Sequence, residues 1–482
     1  MNHLFEFGEK VDRRVFIKGI GWISAGLFLA TTMGGCETLF HNIKHRPVRR
    51  RLRTGSAEVD AAIATYKDGV TLMSALPASN PRSWSAQAGI HGTIAGGFNL
   101  CQHGTQHFFS WHRGYLLFFE QIIQKLTGDK SFGLPYWNWN QNPDMHPEFT
   151  NAASPLFHAR NRTSVGGPFF TPFSALTLDP IIADTNFFTF SSQIEGTPHN
   201  SAHGIVGGDM GSGGSAIDPI FWAHHCMVDY CWAKWNIELG NNNTNDPTWT
   251  NTSWNHFVDR HGHPVTVTAG LTTLMPLLSY QYESSVIGSS PAQMMMTQAK
   301  SDYKKLEKRM RKGAEVRLEV KQRVAVANKA KVRLDKPFSV TTRVTGSQFS
   351  AVTGSDTAPE RIFASVAFPK LPPTNDFFLR VFINLPNANA QTPTEDAHYA
   401  GSFAFFGTDS AHHAGHNEER QFLVNITPTL KRLAARRELG ESAPFSMQLV
   451  ATPMDREFVK PDTELEVNSL ELLVMPITGK ME

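Results

Sequence analysis

The spacing of hydrophobic residues changes along this chain of 482 residues. Residues 108–126 are apolar nearly all round, a pattern typical of a helix that is buried on every face. Residues 338–344 and 379–385 instead alternate apolar and polar side chains, which predicts strands half buried in a sandwich. We therefore expect an α+β fold, in which a mainly α-helical domain is followed by a β-sandwich-like domain.

Composition predicts where these domains begin and end. Residues 54–293 are rich in Trp, Phe, His and Gly, and they form the predicted helical domain. Residues 294–331 carry many lysines and arginines and almost no aromatic side chains, so we expect a basic connector. The strands belong to residues 332–482, whereas residues 37–53, which are basic and contain Pro47, are predicted to be a linker.

Residues 1–36 resemble an export signal rather than part of the fold. Arg13 and Arg14 precede an uncharged stretch over residues 19–36, a pattern similar to twin-arginine signals. Cys36 ends a segment that is similar to a lipoprotein cleavage site, so it is a candidate for lipidation and membrane attachment. The alternative is a short uncleaved anchor, although the stretch falls below the ~20 residues that span a bilayer. We expect export by the twin-arginine route to the periplasm or cell envelope.

Charge and cysteine content exclude some classes of function. The formal net charge is +2 and no basic stripe is interleaved with aromatic residues, which argues against nucleic acid as a partner. Four cysteines are too few for a disulfide scaffold in a chain of this length. Twenty histidines are the informative excess, and small molecules are the expected partners. The oligomeric state stays open.

Two of the histidines belong to one segment. His103 and His112 are nine residues apart, and nine residues of α-helix turn through about 180°. They cannot face one metal ion from a single continuous helix, so we place His103 on the loop before the helix. His112 lies within the apolar helix, where a buried imidazole needs a hydrogen-bond partner or a metal.

A second group of histidines follows Thr197 and Pro198, which are suited to cap and begin a helix. His199 and His203 are then four residues apart on one helix face, where both rings can reach one metal ion.

Asp218 and Pro219 predict the start of another apolar helix in the same way, and this helix carries His224 and His225. Asp229 lies one turn after His225, where its carboxylate could hold the ring nitrogen that does not contact metal. Imidazole-rich sites suit copper, zinc, iron or nickel, and spacing alone does not choose among these metals.

The residues around these histidines resemble the two copper signatures of the tyrosinase and polyphenol oxidase family. The first likeness is carried by His103, Phe108, Trp111, His112, Arg113, Leu116 and Glu120. The second is carried by Asp218, Pro219, Phe221, Trp222, His225 and Asp229. This resemblance extends from about residue 47 to about residue 229. It implies a type 3 dicopper domain with a central four-helix bundle.

The same resemblance implies which residues bind two copper ions. One copper would be held by His91, His103 and His112, and the other by His199, His203 and His225. His107 is a nearby alternative to His91, which we prefer because its surroundings are similar to the segment that supplies the first ligand in bacterial and plant relatives. His224 is expected to pack beside the site rather than bind metal.

The activity implied by the resemblance is that of an oxidoreductase. It would use dioxygen to hydroxylate monophenols at the ortho position and to oxidise o-diphenols to o-quinones. Glu195 and Asn200 resemble the pair that is proposed to supply a base for monophenols. A charge at a helix start and an N-terminal cap are their alternative roles.

Three further features bear on the implied site. Cys101 precedes His103 by two residues, a spacing that resembles fungal tyrosinases in which the two side chains form a thioether; a buried, inert cysteine is the alternative.

Ser212 stands where plant relatives carry an aromatic residue over the copper, which indicates either an open entrance or a plain turn. Strands near residues 381–384 and 400–403 resemble the domain that covers the copper entrance in plant polyphenol oxidases. We therefore expect latency, relieved by cleavage within the basic connector between Lys300 and Lys331.

Other functions share part of this pattern. A catechol or o-aminophenol oxidase would use the same histidines without hydroxylating monophenols. A haemocyanin-like protein would bind dioxygen at the same copper pair while excluding phenols, which Ser212 and the export signal disfavour. A mononuclear zinc hydrolase is more distant, because neither common zinc spacing motif is present.

Overall fold

The computed structural model describes residues 46–93, 97–239, 241–244, 246–273, 275–283, 320–343, 345–346, 349, 360–407, 419–440, 443–454 and 463–476. A helical domain is followed by a domain of two sheets, so the predicted α+β fold is confirmed. The predicted leader, with Cys36, lies outside the described residues. Within them, no helix is both long and apolar enough to cross a membrane.

The first domain consists of helices joined by loops and short strands. Its helices are α1 (Ala57–Ser74), α2 (Trp84–His91), α3 (Phe108–Thr127), α4 (Ala175–Ile182), α5 (Phe187–Ile194), α6 (Asn200–Val206), α7 (Pro219–Ala233), α8 (Pro247–Asn251), α9 (Ala269–Thr272) and α10 (Met275–Leu278). Its strands form three pairs: β1 (Val48–Arg49) with β6 (Gln281–Tyr282), β2 (Gly92–Thr93) with β3 (Gly97–Phe98), and β4 (Ser253–Val258) with β5 (Pro264–Thr268).

Helix α3 is the centre of this domain. It is buried from Phe108 to Gln124, as the continuous apolar pattern predicted. Gly128 ends the helix in a left-handed conformation with φ of 79°, which a residue without a side chain adopts at no steric cost. Helices α1 and α7 pack against α3, so His112 and His225 enter the same core.

Helix α7 begins as predicted. The side chain of Asp218 accepts a hydrogen bond from the amide of Ile220, and Pro219 occupies the first helical position. The same carboxylate pairs with Arg160 at 2.6 Å. The start of the helix that carries His225 is therefore fixed by a cap and by a buried ion pair.

A continuous helical rod replaces the predicted helix start at Thr197. Helix α5 runs into a π-helical turn, Glu195–His199, which continues directly into α6. The rod begins instead at Asn186, whose side chain accepts hydrogen bonds from two amides of the first turn. The prediction that Thr197 caps a new helix is therefore wrong. The wider turn accommodates Pro198, which has no amide hydrogen to contribute to a regular helix.

Residues 46–53 belong to the helical domain, so the predicted linker over residues 37–53 is wrong for this part. Strand β1 runs parallel to β6 and carries the fully buried Arg49 into the core. The guanidinium of Arg49 donates to Glu120 at 2.8 Å and to Asp229 at 3.1 Å. The amino-terminal segment is thus held by buried ion pairs.

Asp229 does not orient a histidine ring, contrary to the prediction. Its carboxylate accepts hydrogen bonds from Arg49, Arg113, Tyr280 and Tyr282. Burial raises the pKa of this carboxyl, but the charges of Arg113 and Arg49 outweigh burial and hold the pKa below its ordinary value. The carboxylate one turn after His225 therefore belongs to the ion network of the core.

The second domain contains two four-stranded antiparallel sheets that share a hydrophobic core. One sheet has the order β11 (Tyr399–Ala404), β10 (Phe377–Ile383), β13 (Phe445–Pro453) and β8 (Phe338–Thr342). The other has the order β12 (Arg420–Asn425), β9 (Glu360–Phe368), β14 (Glu464–Pro476) and β7 (Gln322–Arg333). Helix α11 (Thr427–Ala435) packs against β9 and β11.

The connector is shorter than predicted. Strand β7 begins at Gln322, so residues 322–331 of the predicted connector pair with β14. Residues 284–319 lie outside the described part of the chain.

Strand β10 is buried at every position, whereas the alternating pattern predicted a half-buried strand. Its inner residues, such as Leu379, face the second sheet. Phe378 on the other face belongs to the core of the helical domain, together with Ala404 of β11. The sheet therefore packs against the helical domain, and this contact covers the face that the sequence predicted to be polar.

Candidate metal centre

Four helical segments bring the predicted histidines together. His91 ends α2, His103 lies on the loop before α3, His112 lies within α3, and His225 lies within α7. His199 ends the π-helical turn and His203 lies in α6. All six rings are buried. Rings of the two predicted ligand sets are adjacent. The centroids of His112 and His225 are 4.4 Å apart, and those of His103 and His199 are 5.5 Å apart.

The potential ligand atoms form overlapping clusters in which all atoms lie within 4.8 Å of one another. The clusters are His91, His112 and His225; His199, His203, His224 and His225; and His91, Cys101 and His103. One buried volume therefore holds enough potential ligand nitrogen atoms for more than one metal ion.

Hydrogen bonds at Nδ1 fix the orientation of these rings. Nδ1 of His91 donates to the carbonyl of Gly213 at 2.8 Å, that of His112 to Phe108 at 2.8 Å, and that of His203 to Met210 at 2.7 Å. A carbonyl can only accept, so Nδ1 carries the proton and Nε2 keeps its lone pair. Such a tautomer is the one that binds a metal through Nε2.

Side chains orient two further rings. Nδ1 of His199 lies 2.8 Å from Oδ1 of Asn200, and Nδ1 of His103 lies 3.2 Å from Sγ of Cys101. Burial raises the pKa of the Cys101 thiol well above its ordinary value. Without a metal or a covalent bond, this sulfur is therefore a neutral neighbour of His103.

The opposite ring nitrogens match the requirements of a metal site. Nε2 is buried and has no hydrogen-bond partner, within the described residues, in His91, His103, His112 and His199. Burial lowers the pKa of His91 to about 4 and that of His199 to about 3, so both rings stay neutral at ordinary pH. Nε2 of His203 and Nε2 of His225 are 3.4 Å apart, close enough for one cation to contact both.

His224 presents a different nitrogen. Its Nδ1 accepts a hydrogen bond from the indole Nε1 of Trp139 at 3.2 Å. Its proton is therefore on Nε2, and that nitrogen has no lone pair to offer to a metal. His107 lies outside the histidine clusters, where its ring stacks on Trp249 with a centroid separation of 5.5 Å.

Glu195 and Asn200 lie beside the histidines on the same helical rod. Glu195 accepts a hydrogen bond from the amide of Gly104 at 2.6 Å, next to His103. Burial raises the pKa of Glu195 to about 7, so its carboxyl titrates near neutrality. Asn200 accepts from His199 and donates to the carbonyl of Ala404 at 2.7 Å. A proton acceptor and a fixed amide thus lie next to the cluster.

The glycine-rich loop forms a turn at Ser212, one of the two alternatives predicted for this residue. The hydroxyl of Ser212 donates to the carbonyl of Asp209 at 2.9 Å and accepts from the amide of Gly214 at 3.1 Å, so it stabilises a turn. The same loop supplies the carbonyls that orient His91 and His203.

Phe406 of the second domain lies against the histidine rings. Its ring stacks on that of His203 with centroids 3.8 Å apart and planes inclined by 24°. The same ring lies 4.9 Å from His103, 5.5 Å from His199 and 6.1 Å from His91. The sequence did not predict this contact. Phe406 is about 200 positions from His203, and no motif around Phe406 indicates that its ring lies at a metal site.

A family model described as the common central domain of tyrosinase matches residues 81–180 and 170–238. All the predicted copper ligands fall within the matched residues.

Curated relatives are similar over the same region. The chain is 28% identical over 284 residues to a tyrosinase of Hahella sp. (strain CCB-MM4), a match that covers 46% of this chain and 61% of the relative. It is 29% identical over 275 residues to (+)-larreatricin hydroxylase, chloroplastic, of Larrea tridentata, and this match covers 46% of this chain and 47% of the relative. It is 31% identical over 258 residues to polyphenol oxidase, chloroplastic, of Malus domestica, covering 42% and 43%. The chain spans about half the length of the curated relatives it matches.

Solved structures share the fold over both domains. A recombinantly expressed latent aurone synthase (polyphenol oxidase) has a TM-score of 0.66 at 22% identity and covers 91% of each chain. Latent apple tyrosinase has a TM-score of 0.63 at 20% identity and covers 89% of this chain and 97% of that one. A functional unit of octopus haemocyanin has a TM-score of 0.52 at 16% identity and covers 89% of this chain and 100% of that one.

The buried histidines predict how stability depends on pH. Because the folded-state pKa of His199 is about 3, below the ordinary value of 6.5, only the unfolded chain protonates this residue between these pH values. We expect the metal-free protein to lose up to about 1.4 kcal/mol of unfolding free energy per pH unit and per such histidine as the pH falls below 6.5. His199→Asn should reduce that slope by about this amount in urea unfolding followed across the acid range.

Glu195 changes the unfolding free energy with pH in the opposite direction and is present in both proteins that are compared. Its raised pKa makes the folded chain bind the extra proton, so its burial destabilises the fold increasingly as the pH rises from 4.5 to about 7. This contribution is the same in the wild type and in His199→Asn. Equal slopes in the two proteins would contradict the prediction.

Proposed function

We propose that the chain is a member of the tyrosinase family and a polyphenol oxidase that oxidises phenols with dioxygen at two copper ions; the match of the central-domain model to residues 81–180 and 170–238 supports this proposal. The observation that carries this proposal is the convergence of buried imidazole rings whose Nδ1 atoms are engaged and whose Nε2 atoms face one volume. Neutral imidazole is a preferred ligand of copper.

The tautomers of His91, His112, His199 and His203 support the choice of ligands, whereas Nδ1 of His225 is buried and has no hydrogen-bond partner within the described residues. We assign one copper to His91, His103 and His112, and the other to His199, His203 and His225. The indole of Trp139 holds His224 in the tautomer that cannot bind through Nε2, which supports a role beside the copper pair. Bound at these residues, copper would supply the binding of dioxygen and the transfer of electrons from the phenol.

Copper content tests this ligand set. We expect the purified wild-type protein to bind a copper pair and His91→Asn to lose at least one ion, because a ring with a free Nε2 is removed. His107→Asn is the matched control and should retain both ions, since its ring packs on Trp249 outside the clusters. Metal analysis by mass spectrometry gives the readout. Equal loss of copper in the two variants would contradict the assignment of His91.

We infer that Glu195 and Asn200 prepare monophenols for hydroxylation: the Glu195 carboxylate accepts the phenolic proton, and Asn200 holds the adjacent ring of His199. A carboxyl whose pKa lies at about 7 can take up such a proton near neutrality. The amide of Asn200 is fixed at both ends, by His199 and by the carbonyl of Ala404. The positions of these two side chains therefore suit the ortho-hydroxylation of monophenols in addition to the oxidation of diphenols.

Asn200→Ala separates the two activities. We expect roughly tenfold or greater loss of tyramine hydroxylation with little change in the oxidation of a catechol, because only the monophenol must give up its proton before attack. The ratio of the two rates is the measurement. An unchanged ratio would exclude the proposed role, and wild-type protein that oxidises only the catechol would identify a catechol or o-aminophenol oxidase.

We propose that the second domain makes the enzyme latent by placing Phe406 against the histidines. The ring occupies the space in which a phenol would approach the copper pair. The bonds from Asn200 to Ala404 and from Thr197 to the carbonyl of Ser402, at 2.7 Å each, hold the covering segment in place. Removal of this domain, for example by cleavage between Lys300 and the start of β7 at Gln322, would expose the histidines to phenols.

Phe406→Ala tests the cover directly. We expect the oxidation rate of a catechol to rise by roughly tenfold, since the fraction of accessible sites increases. Phe382→Ala is the matched control, because Phe382 is buried in the same domain away from the histidines. If both variants gain activity equally, general loosening of the domain accounts for the gain. If Phe406→Ala and cleaved protein bind dioxygen but form no quinone, the haemocyanin-like function is favoured instead.

We propose two covalent changes in the mature protein. Sγ of Cys101 lies 3.2 Å from the ring of His103, close enough for a thioether that would fix this loop ligand. At the amino terminus, the twin-arginine pattern supports export to the periplasm or cell envelope and lipidation of Cys36.

The intact mass of the purified protein tests both changes. A chain that begins at Cys36 and carries a lipid should be found in the membrane fraction, and Cys36→Ser should release it. Formation of the thioether is a two-electron oxidation in which dioxygen would accept the two hydrogens that leave the Cys101 thiol and the His103 ring, so the mass falls by two hydrogens, and Cys101→Ser should abolish this loss. An unmodified chain that begins upstream of Cys36 and retains both hydrogens would contradict both proposals.

A further inference from the structure

A second group of imidazole side chains lies on the hairpin between β4 and β5, outside the buried histidine clusters. His261 and His263 flank Gly262 in this loop, and both histidines are exposed. Their ring centroids are 6.0 Å apart and their planes are inclined by 26°. The centroids of His91 and His112, two predicted ligands of one ion, are separated by a similar 5.8 Å. The spacing of the two exposed rings is therefore suited to a shared metal ion.

The backbone of this loop is fixed by Asp259. Oδ1 of Asp259 accepts hydrogen bonds from the amide of His261 at 2.8 Å and from the amide of His263 at 2.9 Å. The amide of Asp259 donates to the carbonyl of His263 at 2.8 Å. Gly262 has φ of 91°, a left-handed conformation that favours glycine. The two histidines are thus held on either side of a tight turn, so little order remains to be imposed on the loop when an ion binds.

The second carboxylate oxygen of Asp259 orients the ring of His263. Nδ1 of His263 lies 3.4 Å from Oδ2 of Asp259, within hydrogen-bond distance. Burial raises the pKa of the Asp259 carboxyl, but the amide hydrogen bonds from His263 and His261 outweigh burial and hold the pKa below its ordinary value. The charged carboxylate favours the tautomer of His263 that carries its proton on Nδ1, which leaves a lone pair on Nε2. A carboxylate behind the imidazole is the usual arrangement at histidine ligands of metals.

We propose that this loop binds a divalent copper ion at the protein surface, through Nε2 of His263 and the ring of His261, with water in the remaining positions. Imidazole suits several divalent metals, and Cu²⁺ binds most tightly to a given set of such ligands. Each ligand nitrogen lies about 2 Å from a bound ion. The side chain of His263 is 77% exposed, so its ring can rotate to reach this distance. The site is independent of the proposed oxidase activity.

Charge around the loop limits the affinity. Asp259 contributes one negative charge beside the ion. Two cations lie near the same loop, Arg260 and Arg82, and Nη1 of Arg82 donates to the carbonyl of Arg260 at 3.5 Å. Their repulsion of a cation is screened by solvent but not abolished. We therefore expect an ion that exchanges with the solution and is held less tightly than one at the buried histidines.

Calorimetric titration of the full chain with Cu²⁺ tests the proposal by difference. We expect the wild type to bind one more ion than the double variant His261→Ala/His263→Ala, and each single variant to bind this ion at least about tenfold more weakly. Asp259→Asn should weaken binding by about tenfold, because its amide oxygen keeps the bonds within the loop while the charge behind His263 is lost. Arg260→Lys is the matched control, since it keeps the charge of the loop and both imidazoles, and it should bind as the wild type does.

The electron paramagnetic resonance spectrum identifies the ligands of the additional ion. Cu²⁺ carries one unpaired electron, and we expect its signal in the wild type to show splitting by imidazole nitrogen that the double variant lacks. Both proteins contain all six buried histidines of the predicted copper pair, so the difference between them is independent of what those histidines bind. The same number of bound ions in the wild type and the double variant, or an equal loss of binding in Arg260→Lys, would overturn the proposal.

Discussion

The fixed orientation of buried, neutral imidazole rings is the constraint on which the rest of this structure depends. Nδ1 hydrogen bonds hold His91, His112, His199 and His203 against oxygen acceptors, and Nε2 of each ring faces the common volume. The acceptors are two carbonyls of the glycine-rich loop before α7, one carbonyl within α3 and the side chain of an adjacent asparagine. Several structural elements must therefore be correctly placed before any single histidine is oriented for metal binding.

The glycine-rich loop before α7 illustrates this dependence. Met210 and Gly213 each turn a carbonyl towards a ring, and the side chain of Asn375 donates to the carbonyl of Gly211 at 2.8 Å. A residue of the second domain thus supports the loop that orients ligands in the first. The small residues that resemble an open entrance in the sequence serve to bring backbone oxygens close to imidazoles.

The second domain consequently helps to position the residues of the site as well as covering it. Strand β11 supplies carbonyl acceptors to the helical rod that bears His199, Phe406 stacks on His203, and Arg420 holds the backbone of His103. Access to the histidines and the positions of the histidines are therefore coupled through the same short segment. A change that releases the domain also removes contacts from residues next to the proposed copper ligands.

Local spacing by itself determined the buried helix α3, the place of His103 on a loop and the cap at Asp218, because helix rotation and end effects act over only a few residues. The tertiary structure alone decided that Asp229 serves Arg49 rather than a histidine ring, and that Phe406 lies over the site. A carboxylate one helical turn after a histidine can form hydrogen bonds with the histidine or with residues of other chain segments. Which partner it meets depends on chain segments far away in sequence, and periodicity carries no record of those contacts.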